Sequence, residues 1–97
     1  MEYLYLFFAY LIGSIPFGLI VTKILTGKNI TKEGSGNIGA TNVFRIVSKK
    51  IGTMVLLLDA LKPVMALILI NNYDNIFFDN YKVPIIFCSV IGHIYPI

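Results

Sequence analysis

Two long apolar runs limit what this chain can fold into. Residues 3 to 25, YLYLFFAYLIGSIPFGLIVTKIL, carry no charge before Lys23. Residues 51 to 70, IGTMVLLLDALKPVMALILI, carry only Asp59 and Lys62. About 20 apolar residues in a helix cross the hydrocarbon core of a bilayer, so each run is long enough to span one. A soluble domain would have to bury both, and 97 residues enclose too little volume for that. Only 13% of the residues are charged, against about a quarter in soluble domains. The first run lacks a basic leader and an A-x-A-like cleavage site, so it reads as a retained span rather than a signal peptide. Ala9 with Gly13, and Ser14 with Gly18, form small-xxx-small pairs that admit a neighbouring helix. Pro16 should kink the span.

A third apolar stretch, VPIIFCSVIGHIYPI at 83 to 97, is short for a crossing. The expected architecture is therefore an all-α integral membrane protein in a single domain, residues 1–97. Its two complete spans are 3–25 and 51–70, with a partial third at 83–97. A Gly-rich loop at 26–50 and a turn-rich connector at 71–82 join them. Cys88 stands alone in an apolar run, so neither a disulfide framework nor a metal-ligand spacing is present.

Charge sets the orientation. Lys23, Lys28, Lys32, Arg45, Lys49 and Lys50 face only Glu33 between residues 23 and 50, whereas residues 71–82 hold one cation, Lys82. The positive-inside rule places the first loop in the cytoplasm and the amino terminus outside. The hydrophobic flanks argue against nucleic acid as the partner of this basic cluster and favour membrane lipid or an anionic substrate.

The loop itself contains GSGNIGATNVFR, residues 34 to 45. Gly34, Gly36 and Gly39 fit the spacing of a dinucleotide fingerprint, and Asp59 follows at a suitable distance. That motif requires a preceding strand and a βαβ unit; here an apolar span precedes it, so the reading fails. The physical content of the string survives. Glycines let the backbone approach an anion closely, with N–H groups converging on it. Residues 40 to 48 suit a short helix, on which Thr41 and Asn42 share a face with Arg45 at spacings of four and three. Arg45 offers a planar fork for two phosphate oxygens, and Ser35 and Asn37 add hydrogen-bonding groups. The alternative is a plain polar connector; the concentration of anion-binding parts favours a phosphate cradle.

The same string resembles the first signature of the bacterial acyl-phosphate-dependent glycerol-3-phosphate acyltransferases, the PlsY family. GSIPFG at 13–18, DALK at 59–62 and GHIYP at 92–96 follow in that family's order and spacing. The resemblance implies a bacterial inner-membrane, multi-pass enzyme of phospholipid synthesis. It would move an acyl group from acyl phosphate to glycerol 3-phosphate, giving lysophosphatidate without a cofactor or metal. It also implies central roles for Ser35 and Arg45, loop roles for Gly34, Gly36, Asn37, Gly39, Thr41 and Asn42, and a catalytic role for His93. Pro63 stands where the family usually has glycine, which should bend the second span differently. The family continues past the GHxFP-like segment into a glycine- and lysine-rich loop and further spans. On this basis the chain is expected to be the amino-terminal half and inactive alone, either a gene remnant or one piece of a split enzyme completed by a separately encoded carboxy-terminal half. The alternative function is a small non-catalytic membrane protein that binds phosphate-bearing lipid or a membrane partner.

Asp59 and Lys62 need a reason to sit within an apolar span, because a charge at the bilayer centre costs about 3 kcal/mol. Three apart on a helix, they can pair with each other, or they can form the floor of a site.

Overall fold

The computed structural model describes residues 2–96; Met1 and Ile97, the latter the last residue of the expected third segment, lie outside the described residues. The described residues form helices joined by turns and one irregular loop. In order they are α1 (Glu2–Gly13), α2 (Phe17–Thr26), a 3-10 turn (Ile30–Lys32), α3 (Ala40–Ile46), α4 (Lys49–Tyr73) and α5 (Asn75–Ile94).

Pro16 does more than kink the first apolar run: helical structure stops at Gly13 and restarts at Phe17. Proline has no N–H to donate and disfavours helical geometry in the residue before it. The amide of Ser14 and the amide of Ile15 close the end of α1 onto Tyr10 and Ile12 carbonyls at 3.0 and 3.2 Å. Helix α2 ends at Gly27, whose φ of 74° is left-handed and whose N–H bonds the Lys23 carbonyl. Glycine meets this capping geometry without a Cβ penalty. The stretches Tyr3–Thr26 and Lys49–Tyr73 are long and apolar enough to cross a membrane. Only 28% and 22% of them are buried within the structure, so their apolar side chains mostly face outward rather than into a protein core.

The chain forms two compact units, residues 1–15 with 60–97 and residues 16–59. In the first, α1 lies against α5. The core there joins Ala9 and Ile12 to Ala66, Ile70, Phe77 and Ile85. Two glycines set the approach: a Cβ on Gly13 would overlap the Ser89 carbonyl, and one on Gly92 would overlap the Tyr10 carbonyl. Ala9 and Gly13 thus work as the small-residue pair expected from the sequence. Phe77 stacks on Tyr81 at 4.5 Å and packs against Tyr5 at 4.8 Å between ring centroids.

The expected connector at 71–82 is not irregular. Helix α4 runs on through Tyr73, and α5 begins at Asn75 after a single intervening residue. Asp74 makes this restart possible, because its side chain accepts the Phe77 amide at 3.0 Å. An acidic N-cap satisfies one of the donors that a helix start leaves open. Helix α5 departs from helical angles at Tyr81. Pro84, three residues later, removes a backbone bond and crowds the carbonyl of the preceding turn.

The second unit has its own core of Ile30, Val43 and Val55. Gly18 belongs here: a Cβ on it would overlap the Ile38 carbonyl. Its partner is therefore the polar loop, where the sequence had pointed to another helix.

Candidate functional site

The loop between α2 and α3 is organised around one side chain. Asn42 is buried, with 4% of its surface exposed. Its Oδ1 accepts the Ser35 amide at 3.2 Å, and its Nδ2 donates to the carbonyls of Asn37 and Glu33 at 2.9 and 3.1 Å. The Ile30 carbonyl lies 3.5 Å from the same nitrogen. One amide group thus pins four loop residues, using both its donor and acceptor capacity. Gly34 makes room for this: its φ is 52°, and a Cβ there would collide with Asn42 Oδ1 and with Ile46.

Three further amides are committed within the loop. Gly36, at φ 76°, donates to the Glu33 carbonyl at 2.9 Å. Asn37 donates to Ser35 Oγ at 3.3 Å, and Gly39 donates to Asn37 Oδ1 at 2.8 Å. Four of the amides near the glycines thus have partners within the loop. The N–H groups of Ser35, Gly36, Asn37 and Gly39 stabilise the loop itself. The glycines serve the turn, and Asn42 holds it. The physical reason is that polar backbone groups packed over a small core must be paired. Side chains of Asn and Asp commonly do this in turns.

Asn42 and Arg45 were expected to share a face of α3. Asn42 turns inward beside Val43, whereas Thr41 and Arg45 are exposed. Thr41 and Arg45 instead line a cavity of about 420 Å³ with Ala40, Phe44, Gly52 and Leu56. Gly52 lets Phe44 approach α4 closely, since a Cβ at that position would collide with Phe44. The cavity joins a guanidinium and a hydroxyl to an apolar wall. Phe44, Gly52 and Leu56 were not singled out from the sequence; a glycine inside a long apolar helix was the available signal. Ser35 is exposed, and its Oγ accepts from Asn37 while its own proton can still donate.

His93 belongs to the other unit. It is exposed on the last turn of α5, and its Nδ1 lies 2.8 Å from Lys62 Nζ. Lys62 is 2% exposed and also donates to the Ile15 carbonyl at 3.1 Å. Sequence spacing directs attention to Asp59 as the partner of Lys62. These two contacts lie 31 and 47 residues away along the chain, beyond any local pattern. No group of three His, Cys, Asp or Glu side chains capable of holding a metal gathers among the described residues.

Comparison with known proteins adds a second line. The family model described as glycerol-3-phosphate acyltransferase matches residues 3–97. A glycerol-3-phosphate acyltransferase of Macrococcus caseolyticus is 46% identical over 94 residues, covering 97% of this chain and 47% of that protein. Its namesake in Myxococcus xanthus is 46% identical over 92 residues, covering 91% of this chain and 45% of its own. The Bacillus cytotoxicus protein of the same name is 46% identical over 101 residues, covering all of this chain and 48% of its own. The chain spans about half the length of these curated relatives. No solved structure matches it.

Proposed function

Because the chain belongs to the glycerol-3-phosphate acyltransferase family, we propose that it forms the phosphate-holding part of a membrane acyltransferase. The reaction moves an acyl group from acyl phosphate to glycerol 3-phosphate and gives lysophosphatidate. The observation that carries this reading is the cavity where Thr41 and Arg45 meet Phe44 and Leu56. A phosphate monoester with an apolar tail needs a cation at one end of its pocket and hydrocarbon at the other.

The chemistry is economical. The hydroxyl oxygen of glycerol 3-phosphate attacks the acyl carbon, the bond from that carbon to the phosphate oxygen breaks, and the hydroxyl proton leaves for the departing phosphate or water. An acyl phosphate is already activated, so no covalent enzyme intermediate is required. The protein's contribution is to position two mutually repelling anions and to stabilise charge on the leaving group. Arg45 takes the phosphoryl oxygens with its planar fork. Thr41 and Ser35 donate hydroxyl protons to phosphate oxygens, and His93 enters as a catalytic residue. Gly34, Gly36, Asn37, Gly39 and Asn42 act by holding the loop in shape.

Membrane insertion completes the reading. The stretches 3–26 and 49–73 cross the inner membrane, α5 returns towards the cytoplasm, and the basic loop lies on the cytoplasmic side with the amino terminus outside. The excess of lysine and arginine between residues 23 and 50 supports this orientation. The 97 residues alone do not turn over, since they span about half the length of the curated relatives.

The test is acyl transfer to glycerol 3-phosphate from acyl phosphate, measured with the 97-residue chain alone and with the full-length Macrococcus relative. The full-length protein should turn over and the 97 residues should not. Alanine at the position aligned with Arg45 should reduce turnover by about 10²- to 10³-fold, the usual loss when one transition-state charge stabiliser is removed. Unchanged turnover in that variant removes Arg45 from the site. Phosphate-lipid binding by a full-length protein that transfers nothing would instead favour the non-catalytic reading.

A further inference from the structure

Lys62 has a role that the reaction above does not use. It is almost fully buried, yet its Nζ reaches two groups from distant parts of the chain. One is the Ile15 carbonyl, just past the end of α1, where backbone oxygens lack intrahelical partners. The other is Nδ1 of His93, the only histidine in the chain. All three residues belong to the same compact unit.

We infer that Lys62 is a positioning residue that fixes the ring orientation and tautomer of His93. An ammonium has three donors and no lone pair. The imidazole nitrogen it meets at 2.8 Å must accept, which leaves the ring proton on Nε2. The partner of one ring nitrogen sets the role of the other. The Ile15 carbonyl, 3.1 Å from the same ammonium, helps to hold Nζ in place. The tautomer rests on this geometry alone.

The solitary histidine makes the test direct. The 97-residue chain labelled with 15N-histidine is placed in phospholipid nanodiscs, and the ring nitrogens are read by NMR at neutral pH. The expected spectrum has Nδ1 at the position of an unprotonated, hydrogen-bond-accepting nitrogen and Nε2 at that of a protonated one. Lys62→Met should shift Nδ1 away from its bonded position, and Lys62→Arg should restore it. A wild-type spectrum with the proton on Nδ1, or a Lys62→Met spectrum indistinguishable from wild type, overturns the proposal. Should Lys62→Met lose its helical circular dichroism, the wild-type and Lys62→Arg spectra decide: loss of the accepting Nδ1 signal in a folded Lys62→Arg also overturns it. None of these readouts involves turnover, so failure here and failure of the acyl-transfer reading are separate results.

Discussion

The two units of this chain solve the problem of backbone placement in opposite ways. Around α1 and α5 the backbones approach because side chains are missing: Gly13 and Gly92 each leave the space that a neighbouring carbonyl occupies. In the α2–α3 loop the backbone is placed because a side chain is present, with Asn42 bonded to several loop residues at once. The first device is steric and suits a setting where apolar packing has little directional content. The second is polar and directional, and it shapes the segment that carries Ser35 and Asn37. The contrast teaches that glycine in this chain has two meanings. On the helices it marks close approach, and in the loop it marks a backbone angle.

The largest effect should come from the steric side. Gly13→Leu and Gly92→Leu force α1 and α5 apart, because the atoms in the way are backbone. Overpacking costs about 1–3 kcal/mol and occasionally more, and these sites should lie at the upper end. Thermal loss of helical circular dichroism in detergent should fall well below wild type; an unshifted midpoint would mean that the two helices are not in backbone contact.

Next comes the polar hub. Asn42→Asp keeps the shape of the side chain but turns a donor into an acceptor facing the Asn37 and Glu33 carbonyls. A buried polar group left unpaired costs about 1–3 kcal/mol, and more when charged. The expected signature is fast hydrogen exchange at the Ser35 amide with helix signals of the other unit retained. Slow exchange at Ser35 would show that Asn42 is dispensable.

Smaller again is the strain at left-handed glycines. Gly27→Ala meets open space, so it should cost about 1 kcal/mol from backbone angle alone. Gly36→Ala adds a Cβ 3.0 Å from the Thr31 carbonyl and should cost more than Gly27→Ala in the same melting experiment. The reverse order would locate the tight turn elsewhere.

The smallest stability effect belongs to Arg45→Ala. The side chain is exposed, and such substitutions usually change stability by less than about 0.5 kcal/mol. Binding of a phosphate-bearing amphiphile should nevertheless be lost. A large drop in melting temperature would recast Arg45 as structural.

Particular residues show how far the sequence could be read. The pattern of apolar runs places the two long helical stretches, and the string ATNVFRIVS at 40–48 places α3, which ends two residues earlier at Ile46. The order of motifs carries the family, which the comparisons bear out. Residues 71–82 misled because Asn, Asp and Tyr in series read as a turn. Asp74 instead caps a new helix, and Phe77 and Tyr81 find ring partners. The glycines of the loop announced unusual backbone angles correctly at Gly34 and Gly36. The direction of the neighbouring amides depends on where Asn42 points, and helical spacing alone does not say which flank of α3 is buried.

What the sequence determined by itself is local: which segments are helical and apolar, where proline and glycine interrupt them, and which loop concentrates positive charge. These follow from backbone sterics and from composition over ten or twenty neighbours. Only the tertiary structure decided that Asn42 is scaffold, that Thr41 and Arg45 open onto a cavity, and that Lys62 meets His93. Each of those depends on contacts between residues that are distant along the chain or on which side of a helix is covered. Burial, unlike helix formation, is a property of the assembled neighbours.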